Sequence, residues 1–375
     1  MKSRILYINP IVEISGAETS LLLLLEKLDR RLFYPIVILP GEGPLKGRLE
    51  EMGIEAVTMR LSKIDKKNPI PYLKTVYALS RFIRDRAVDI VHCNMGICNQ
   101  YALAAARLNG VPVVSHTRNI LNRRAFKRMF LGFSDALIAN SKAVAGSYSE
   151  YMRRDQKVHV IHNGVDLREF SSSRGNGSFR RKFGLSEDMF LIGQIARIHP
   201  CKGQNILLKA VADVTRFHPN IRTLLAGDVK IDNSEWHHEE LKRITSELGL
   251  DDRVFFTGFT DDIVGLYADL DLLVLPSLHE PFGRTLIEAM AMGVPVIASA
   301  QGGPLEIVED GVTGFLVPVG DPVRLAEAIL KVLKDKELAK KLGENGRERV
   351  RSRFTIEENV RKTEKVYSEL IAAEK

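Results

Sequence analysis

Residues 272–292 read LLVLPSLHEPFGRTLIEAMAM. Four aliphatic residues in succession, with no polar alternation, describe a strand buried on both faces, the kind a parallel sheet uses. Two prolines then end the run, and an apolar helix begins near Gly283. Working outward, the same strand, loop and helix recur along the whole chain. Apolar runs rich in Ile, Val and Leu stand at 5–8, 36–39, 56–59, 90–92, 111–115, 136–139 and 158–161. After a break they resume at 190–196, 222–226, 253–256, 272–275, 294–298 and 314–317. This rhythm predicts parallel sheets joined by crossover helices. The break is residues 171–178, SSSRGNGS, made almost wholly of turn-forming and flexible residues, which reads as an interdomain linker. The fold class is therefore α/β with two Rossmann-like domains, at 1–172 and 173–354. Residues 355–375 form a charged amphipathic helix expected to cross back onto the first domain.

The chain has 375 residues, 45% of them hydrophobic and 27% charged, enough for two cores and unlike a disordered or fibrous protein. The longest unbroken aliphatic stretch, the leucines at 21–25, is far short of the roughly 18 residues that span a bilayer. The first residues read as a strand and not as a secretory signal, and Cys93, Cys98 and Cys201 lack metal-ligand spacing, so a cytosolic protein with structural cysteines is expected. The net charge of +7 conceals a division. Residues 1–185 carry 30 Lys+Arg against 16 Asp+Glu, and residues 186–375 carry 24 against 31. A basic half meets nucleic acid, an anionic membrane or an anionic substrate.

Open parallel sheets bind ligands at the carboxyl ends of their strands, which sends the search to the strand-to-helix loops and to an interdomain cleft. After the first strand, Ser15 and Glu18 have capping-box spacing, and Gly16 beside them is either incidental to a helix cap or lets the backbone approach a ligand closely. In the second domain, Arg197 and Lys202 precede an apolar helix, and two cations at a helix N-terminus suit a diphosphate. In the opening stretch, Glu280 lies in the loop and Glu288 about one and a half turns into the helix. Carboxylates near a phosphate site accept hydrogen bonds from vicinal hydroxyls, which describes a ribose and a sugar. Phe282, Gly283, Arg284 and Thr285, between them, belong to the same candidate site, and Gly302-Gly303 can bring bare backbone to it. His116, ending a first-domain strand, is either structural or part of the site. Asp269-Leu-Asp271 has the outline of a metal-binding pair but leads straight into a strand, so it reads as a strand entrance.

With Glu280 and Glu288 in an E-x7-E pattern, Arg197, Lys202, Gly16, the HNGVD run at 162–166 and the GGPLEIVEDGVTGFLV run at 302–317, the chain resembles the retaining nucleotide-sugar glycosyltransferases of family 4 (group 1). The likeness covers essentially the whole chain, with Ser15-Gly16 standing where the family often has two glycines. It implies a GT-B architecture, a UDP- or GDP-linked sugar as co-substrate and no metal or other cofactor. It also implies that Glu288 holds the ribose, that Arg197, Lys202 and Gly16 hold the phosphates, and that Glu280 with Gly302 and Gly303 holds the sugar, which His116 borders.

In 119–131, NILNRRAFKRMFL, a helical wheel gathers Arg123, Arg124, Lys127 and Arg128 on one arc and Leu121, Ala125, Phe126, Met129 and Phe130 on the other. This is either a plain surface helix or a contact, with Arg118, for an acceptor phosphate or anionic lipid. Lys63, Lys66 and Lys67 add to that face. No recognition motif or aromatic series accompanies the charge, which disfavours nucleic acid. The expectation is a retaining, metal-independent hexosyltransferase acting on a lipid-linked or cell-envelope glycan at the inner membrane face. Its rivals are a nucleotide-sugar 2-epimerase, which would convert donor without acceptor, and a non-catalytic nucleotide-sugar-binding protein. A nicotinamide dehydrogenase is disfavoured because no G-x-G-x-x-G follows either first strand.

Overall fold

The computed structural model describes residues 2–171, 177–229 and 234–373, so most of the expected linker at 171–178 lies outside the described residues. The chain divides into two compact units, Met1–Gly164 with Ile356–Lys375, and Val165–Thr355. The first unit thus ends at Gly164, ahead of the 172/173 boundary read from the linker.

In the first unit, strands β1 (Ser3–Ile8), β2 (Phe33–Leu39), β3 (Glu55–Thr58), β4 (Ile90–Cys93), β5 (Val113–Thr117), β6 (Ala136–Ala139) and β7 (Lys157–Val160) form one sheet in the order β3-β2-β1-β4-β5-β6-β7. Every pairing is parallel, β1 lying between β2 and β4 with Ile8 opposite both Ile38 and Cys93. The central strands are buried on both faces, which explains their unbroken apolar sequences. The helix Gly16–Lys27 follows β1. Its start is set by Ser15, whose backbone N–H and hydroxyl both donate to Glu18 Oε2, at 3.2 and 2.5 Å. The closing helix Ile356–Ala373 packs in this unit, where Glu364 Oε1 accepts from the Asp29 N–H at 2.8 Å and Asn359 Nδ2 donates to the His162 carbonyl at 2.6 Å.

In the second unit, β8 (Phe190–Ile195), β9 (Ile221–Ala226), β10 (Val254–Gly258), β11 (Leu272–Leu275), β12 (Val296–Ser299) and β13 (Phe315–Val317) form a parallel sheet in the order β10-β9-β8-β11-β12-β13. Hydrophobic clusters pack its two faces, one including Leu273, Leu286 and Met290, the other Val274, Leu207 and Ile329. Every strand expected from the sequence is present, with its ends moved by a few residues at most. Among the described residues no helix is long and apolar enough to cross a membrane.

One expected helix is shorter than its wheel. Asn122 caps a helix of only Arg123–Arg128, its Oδ1 accepting from the Ala125 N–H at 2.9 Å, and Phe130 then turns left-handed (φ 53°). Leu121 and Phe126 are buried as the wheel requires, but Phe130, placed on the same apolar arc, is exposed because the helix has already ended.

Candidate functional site

The second unit assembles most of the candidate residues at the carboxyl edge of its sheet. Beyond β8 the chain runs through Arg197 to a tight turn, Pro200–Lys202, and reaches the helix Gln204–Thr215 through Gly203. Gly203 is left-handed (φ 69°), and a Cβ there would lie 2.1 Å from the Pro276 carbonyl oxygen, so only glycine lets this loop meet the loop after β11. The Leu278 N–H donates to the Cys201 carbonyl at 2.8 Å and locks the two loops together. Two buried glutamines pin the first loop from inside: Gln194 Nε2 donates to the Lys202 carbonyl at 2.7 Å, and Gln204 Nε2 to the Arg197 carbonyl at 2.8 Å. Arg197 itself is exposed.

The contact this produces is an ion pair. Lys202 Nζ donates to Glu280 Oε2 at 2.8 Å, and Ser277 Oγ donates to the same oxygen at 3.2 Å. Glu280 is 8% exposed, so its charge depends on these donors. An ammonium has three protons and Glu280 takes one, and Glu280 Oε1 takes no donor among the described residues. The Gly302-Gly303 loop lies against the same backbone. The Gly303 N–H donates to the Glu280 carbonyl at 2.9 Å, and a Cβ on Gly303 would sit 2.2 Å from Phe282 Cα. The Phe282 ring is in the core, edge-on to Phe354 at 6.3 Å, so it forms part of the site's floor. Gly283 (φ 103°) turns the chain into the helix Arg284–Met292, with Thr285 half-buried in its first turn.

Inside that helix Glu288 is 7% exposed, and each of its carboxylate oxygens has a donor. Its Oε1 accepts from Arg284 Nη2 at 2.7 Å, and its Oε2 from the Tyr267 hydroxyl at 2.8 Å. Burial, with the Glu288 charge beside it, pushes the Tyr267 hydroxyl well above its ordinary range, so it stays a donor. The Arg284 pair has the i,i+4 spacing that sequence reasoning could have used. Tyr267, from the helix Ile263–Asp269, left no local signal. Nearby, Ile198, Gly227, Asp228, His238, Phe256 and Gly258 line a cavity of about 290 Å³ at the ends of β8, β9 and β10, a feature not read from the sequence.

Asp269 and Asp271 are structural. Asp269 Oδ2 accepts the Phe179 and Arg180 N–H groups at 2.8 and 3.0 Å, and Asp271 Oδ2 accepts the Leu191 N–H and Arg180 Nη2, both at 2.7 Å. No group of three potential metal ligands occurs among the described residues.

In the first unit Gly16 opens the helix after β1, and His116 is the penultimate residue of β5. Arg118, expected among the surface cations, is instead half-buried in a network at the strand ends: it donates to Asn94 Oδ1 at 2.9 Å, to Asn163 Oδ1 at 3.2 Å and to His116 Nδ1 at 3.2 Å. That last bond leaves the proton of neutral His116 on Nε2, a buried atom with no partner. Burial, the Arg118 charge and His92 together hold the His116 pKa well below the ordinary imidazole range. Arg123, Arg124, Lys127 and Arg128 are all exposed.

The family models match what this geometry suggests. One described as Glycosyltransferase Family 4 matches residues 14–169, and one described as Glycosyl transferases group 1 matches residues 176–349. A D-inositol 3-phosphate glycosyltransferase of Salinispora arenicola is 30% identical over 316 residues, 76% of this chain and 69% of that protein. An N-acetyl-alpha-D-glucosaminyl L-malate synthase of Bacillus anthracis is 30% identical over 242 residues, 64% of this chain and 61% of that protein. This chain thus spans about two thirds of the length of these relatives. Among solved structures, Anabaena HepE in complex with UDP and glucose superposes with a TM-score of 0.84 at 27% identity, covering 97% of this chain and 99% of that one. A glycosyltransferase of Rickettsia africae superposes with a TM-score of 0.88 at 25% identity over 99% of both chains. The chain belongs to the group 1 glycosyltransferases of family 4, with the two Rossmann-like units of the GT-B fold.

Proposed function

We propose that the chain is a retaining, metal-independent hexosyltransferase that moves a sugar from a nucleotide-diphosphate sugar to a lipid-linked or cell-envelope glycan acceptor, in the cytosol at the inner membrane face. The observation that carries the donor reading is the Lys202–Glu280 pair laid against the bare backbone of Gly302 and Gly303. Lys202 keeps protons for a phosphate while Glu280 Oε1 remains to accept from a sugar hydroxyl. Glu288 offers the second lone pair of each oxygen to a ribose diol, its carboxylate held in place by Arg284 and Tyr267. The cavity beside Arg197 takes the base, and Gly16 approaches the phosphates through its backbone. UDP is the preferred nucleotide of the two considered, since HepE is described with UDP bound.

As the glycosidic bond breaks, the departing diphosphate gathers negative charge. Arg197, Lys202 and the helix N-termini oppose that charge more strongly in the transition state than in the ground state, which accelerates the step. Retention follows when the acceptor attacks on the face the diphosphate leaves, and a phosphate oxygen takes the acceptor proton. His116, near the end of β5, is the first-unit residue assigned to border the transferred sugar. The exposed Arg123, Arg124, Lys127 and Arg128 meet a phosphate on the acceptor or its lipid. The test is nucleotide release from a panel of UDP- and GDP-sugars with chelator present, with and without glycan acceptors. Release that acceptor stimulates, with the product anomer matching the donor, is expected. Epimerised donor, no turnover, or a strict metal requirement overturns the reading.

A further inference from the structure

The lysines beside the basic helix belong to a longer surface. The loop after β3 and the first turns of the helix Ile70–Asp85 expose Lys63, Lys66, Lys67 and Lys74. Beside them Ile70 is 59% exposed, Leu73 57% and Tyr77 71%. Ile70, Leu73, Lys74 and Tyr77 share the solvent side of this helix, whose other side is buried through Val76, Leu79 and Ile83. This segment adjoins the one after β5. Leu61 and Tyr72 pack with Ile97 on the cluster that holds Cys98, and a Cβ on Gly96 would lie 3.1 Å from Leu131 and 3.2 Å from the Met129 sulfur. Gln100 Nε2 donates to the Arg128 carbonyl at 3.1 Å. The second segment repeats the first one's chemistry, with four exposed cations and, standing out beside them, Phe130 and Phe133.

We propose that residues 60–77 and 120–133 together dock the protein on an anionic phospholipid bilayer, the lysines and arginines meeting lipid phosphates while Leu73, Tyr77, Phe130 and Phe133 enter the headgroup boundary. Charge complementarity selects the occupant. Asp65 is the only acid in the two segments. A protein partner's interface would be depleted in lysine, and a nucleic-acid backbone has no use for exposed leucine and isoleucine. Lysine stems carrying their heads to a polar layer around inserted apolar side chains are the chemistry of an interfacial anchor. The inference rests on the reading of an acceptor held at a membrane, and it adds the 60–77 segment as a second, equal part of the contact.

The experiment is co-sedimentation of the full chain with vesicles of phosphatidylcholine alone and of equal parts phosphatidylcholine and phosphatidylglycerol, with nucleotide-sugar hydrolysis measured in parallel. Wild type is expected to bind only the anionic vesicles and to be released as salt rises. Each lysine near such a surface is worth about fivefold in partitioning, so Lys63→Gln, Lys66→Gln and Lys67→Gln together should weaken binding about a hundredfold. Leu73→Ser with Tyr77→Ser should weaken it about tenfold, through lost insertion. All five side chains are exposed, so both variants should keep the wild-type circular dichroism and hydrolysis rate. Vesicle binding unchanged in either variant overturns the proposal. So does equal affinity for duplex DNA that only the lysine variant loses. Hydrolysis without vesicle binding refutes the docking surface and leaves the transferase reading, whereas vesicle binding without turnover on any nucleotide sugar does the reverse.

Discussion

Lowering the pH from about 7.5 to about 5 should destabilise the first unit by about 2 kcal/mol through His92 alone. The ring is fully buried on β4, stacked on Tyr7 of β1 at 5.1 Å, with Nδ1 2.6 Å from the Tyr367 hydroxyl of the closing helix. Tyr367 donates its proton to Tyr7 at 3.1 Å, so it accepts from His92 Nδ1–H, and the buried Nε2 is left bare. A second proton would bring an unpaired charge into this setting, with Arg118 and His116 on the β5 side and no carboxylate among the groups that act on it. Burial first, then Arg118, push the His92 pKa down from 6.5 to about 3. Because the folded value lies below the unfolded one, the unfolded chain takes up the proton first. Stability is therefore whole above the unfolded pKa and falls as pH drops through it, by about 1.4 kcal/mol per unit until the folded value is reached. From the unfolded pKa to about pH 5 is roughly one and a half units, which gives the 2 kcal/mol. His116 shifts in the same direction and adds to the loss, so the figure is a floor.

The assay is urea unfolding at both pH values for wild type and His92→Gln, followed by circular dichroism and by tryptophan fluorescence. The chain's single tryptophan, Trp236, lies in the second unit and reports on that unit separately. Glutamine cannot titrate, so the difference between wild type and variant should shrink by about 2 kcal/mol at the lower pH, whatever the variant costs in itself. The Trp236 transition should show none of that difference. A wild-type first-unit transition that does not move, or a variant that keeps the whole slope, refutes the reasoning.

Three further predictions concern the second unit. Tyr267→Phe removes a charge-assisted donor from Glu288 and should weaken free nucleotide and nucleotide sugar alike by about tenfold, and Glu288→Ala by more; unchanged calorimetric affinity for the nucleotide would remove the ribose assignment. Lys202→Ala should lower turnover by about a hundredfold while changing donor affinity far less, because the charge it meets grows in the transition state; equal losses in both, or rescue by magnesium, would refute that role. Gly303→Ala places a methyl against Phe282 backbone at 2.2 Å, so turnover should fall at least a hundredfold although the Trp236 spectrum stays native; near-normal turnover would show that the loop lies elsewhere during the reaction.

The fold was legible because strands buried on both faces of a parallel sheet need apolar residues at every position, and such runs recur between helical segments along the chain; the leucines at 21–25, an equally apolar run, belong instead to the helix Gly16–Lys27. The strand ends were less legible, since β2 begins at Phe33 and not at Ile36 for a reason outside its own sequence: Ser3, Arg4 and Ile5 extend alongside to pair with it. The wheel drawn over 119–131 failed at Phe130 on the same ground, because periodicity tells which face would be buried if a helix continued and not where it stops. In the site, Lys202, Glu280 and Gly303 announced themselves as charge or bare backbone in strand-end loops, where a structural purpose is hard to supply.

What stayed hidden is the set of residues whose task is to satisfy those charges. A carboxylate as buried as Glu288 must find donors, and that necessity could be stated from the sequence, but the donor could come from any element that passes close by. It comes from Tyr267, at the end of a helix that precedes β11, and from Arg284 one turn away. The same helix end shows the reverse case, since Asp269 and Asp271 have a metal site's spacing and each gives its Oδ2 to two donors, backbone N–H groups and Arg180. Two carboxylates a residue apart are a ligand pair only if the fold leaves their lone pairs free, and long-range hydrogen bonds decide that. Glu288 sits between these extremes: one donor on each oxygen holds the carboxylate in orientation, and the second lone pair of each is what the proposed ribose reading assigns to the diol.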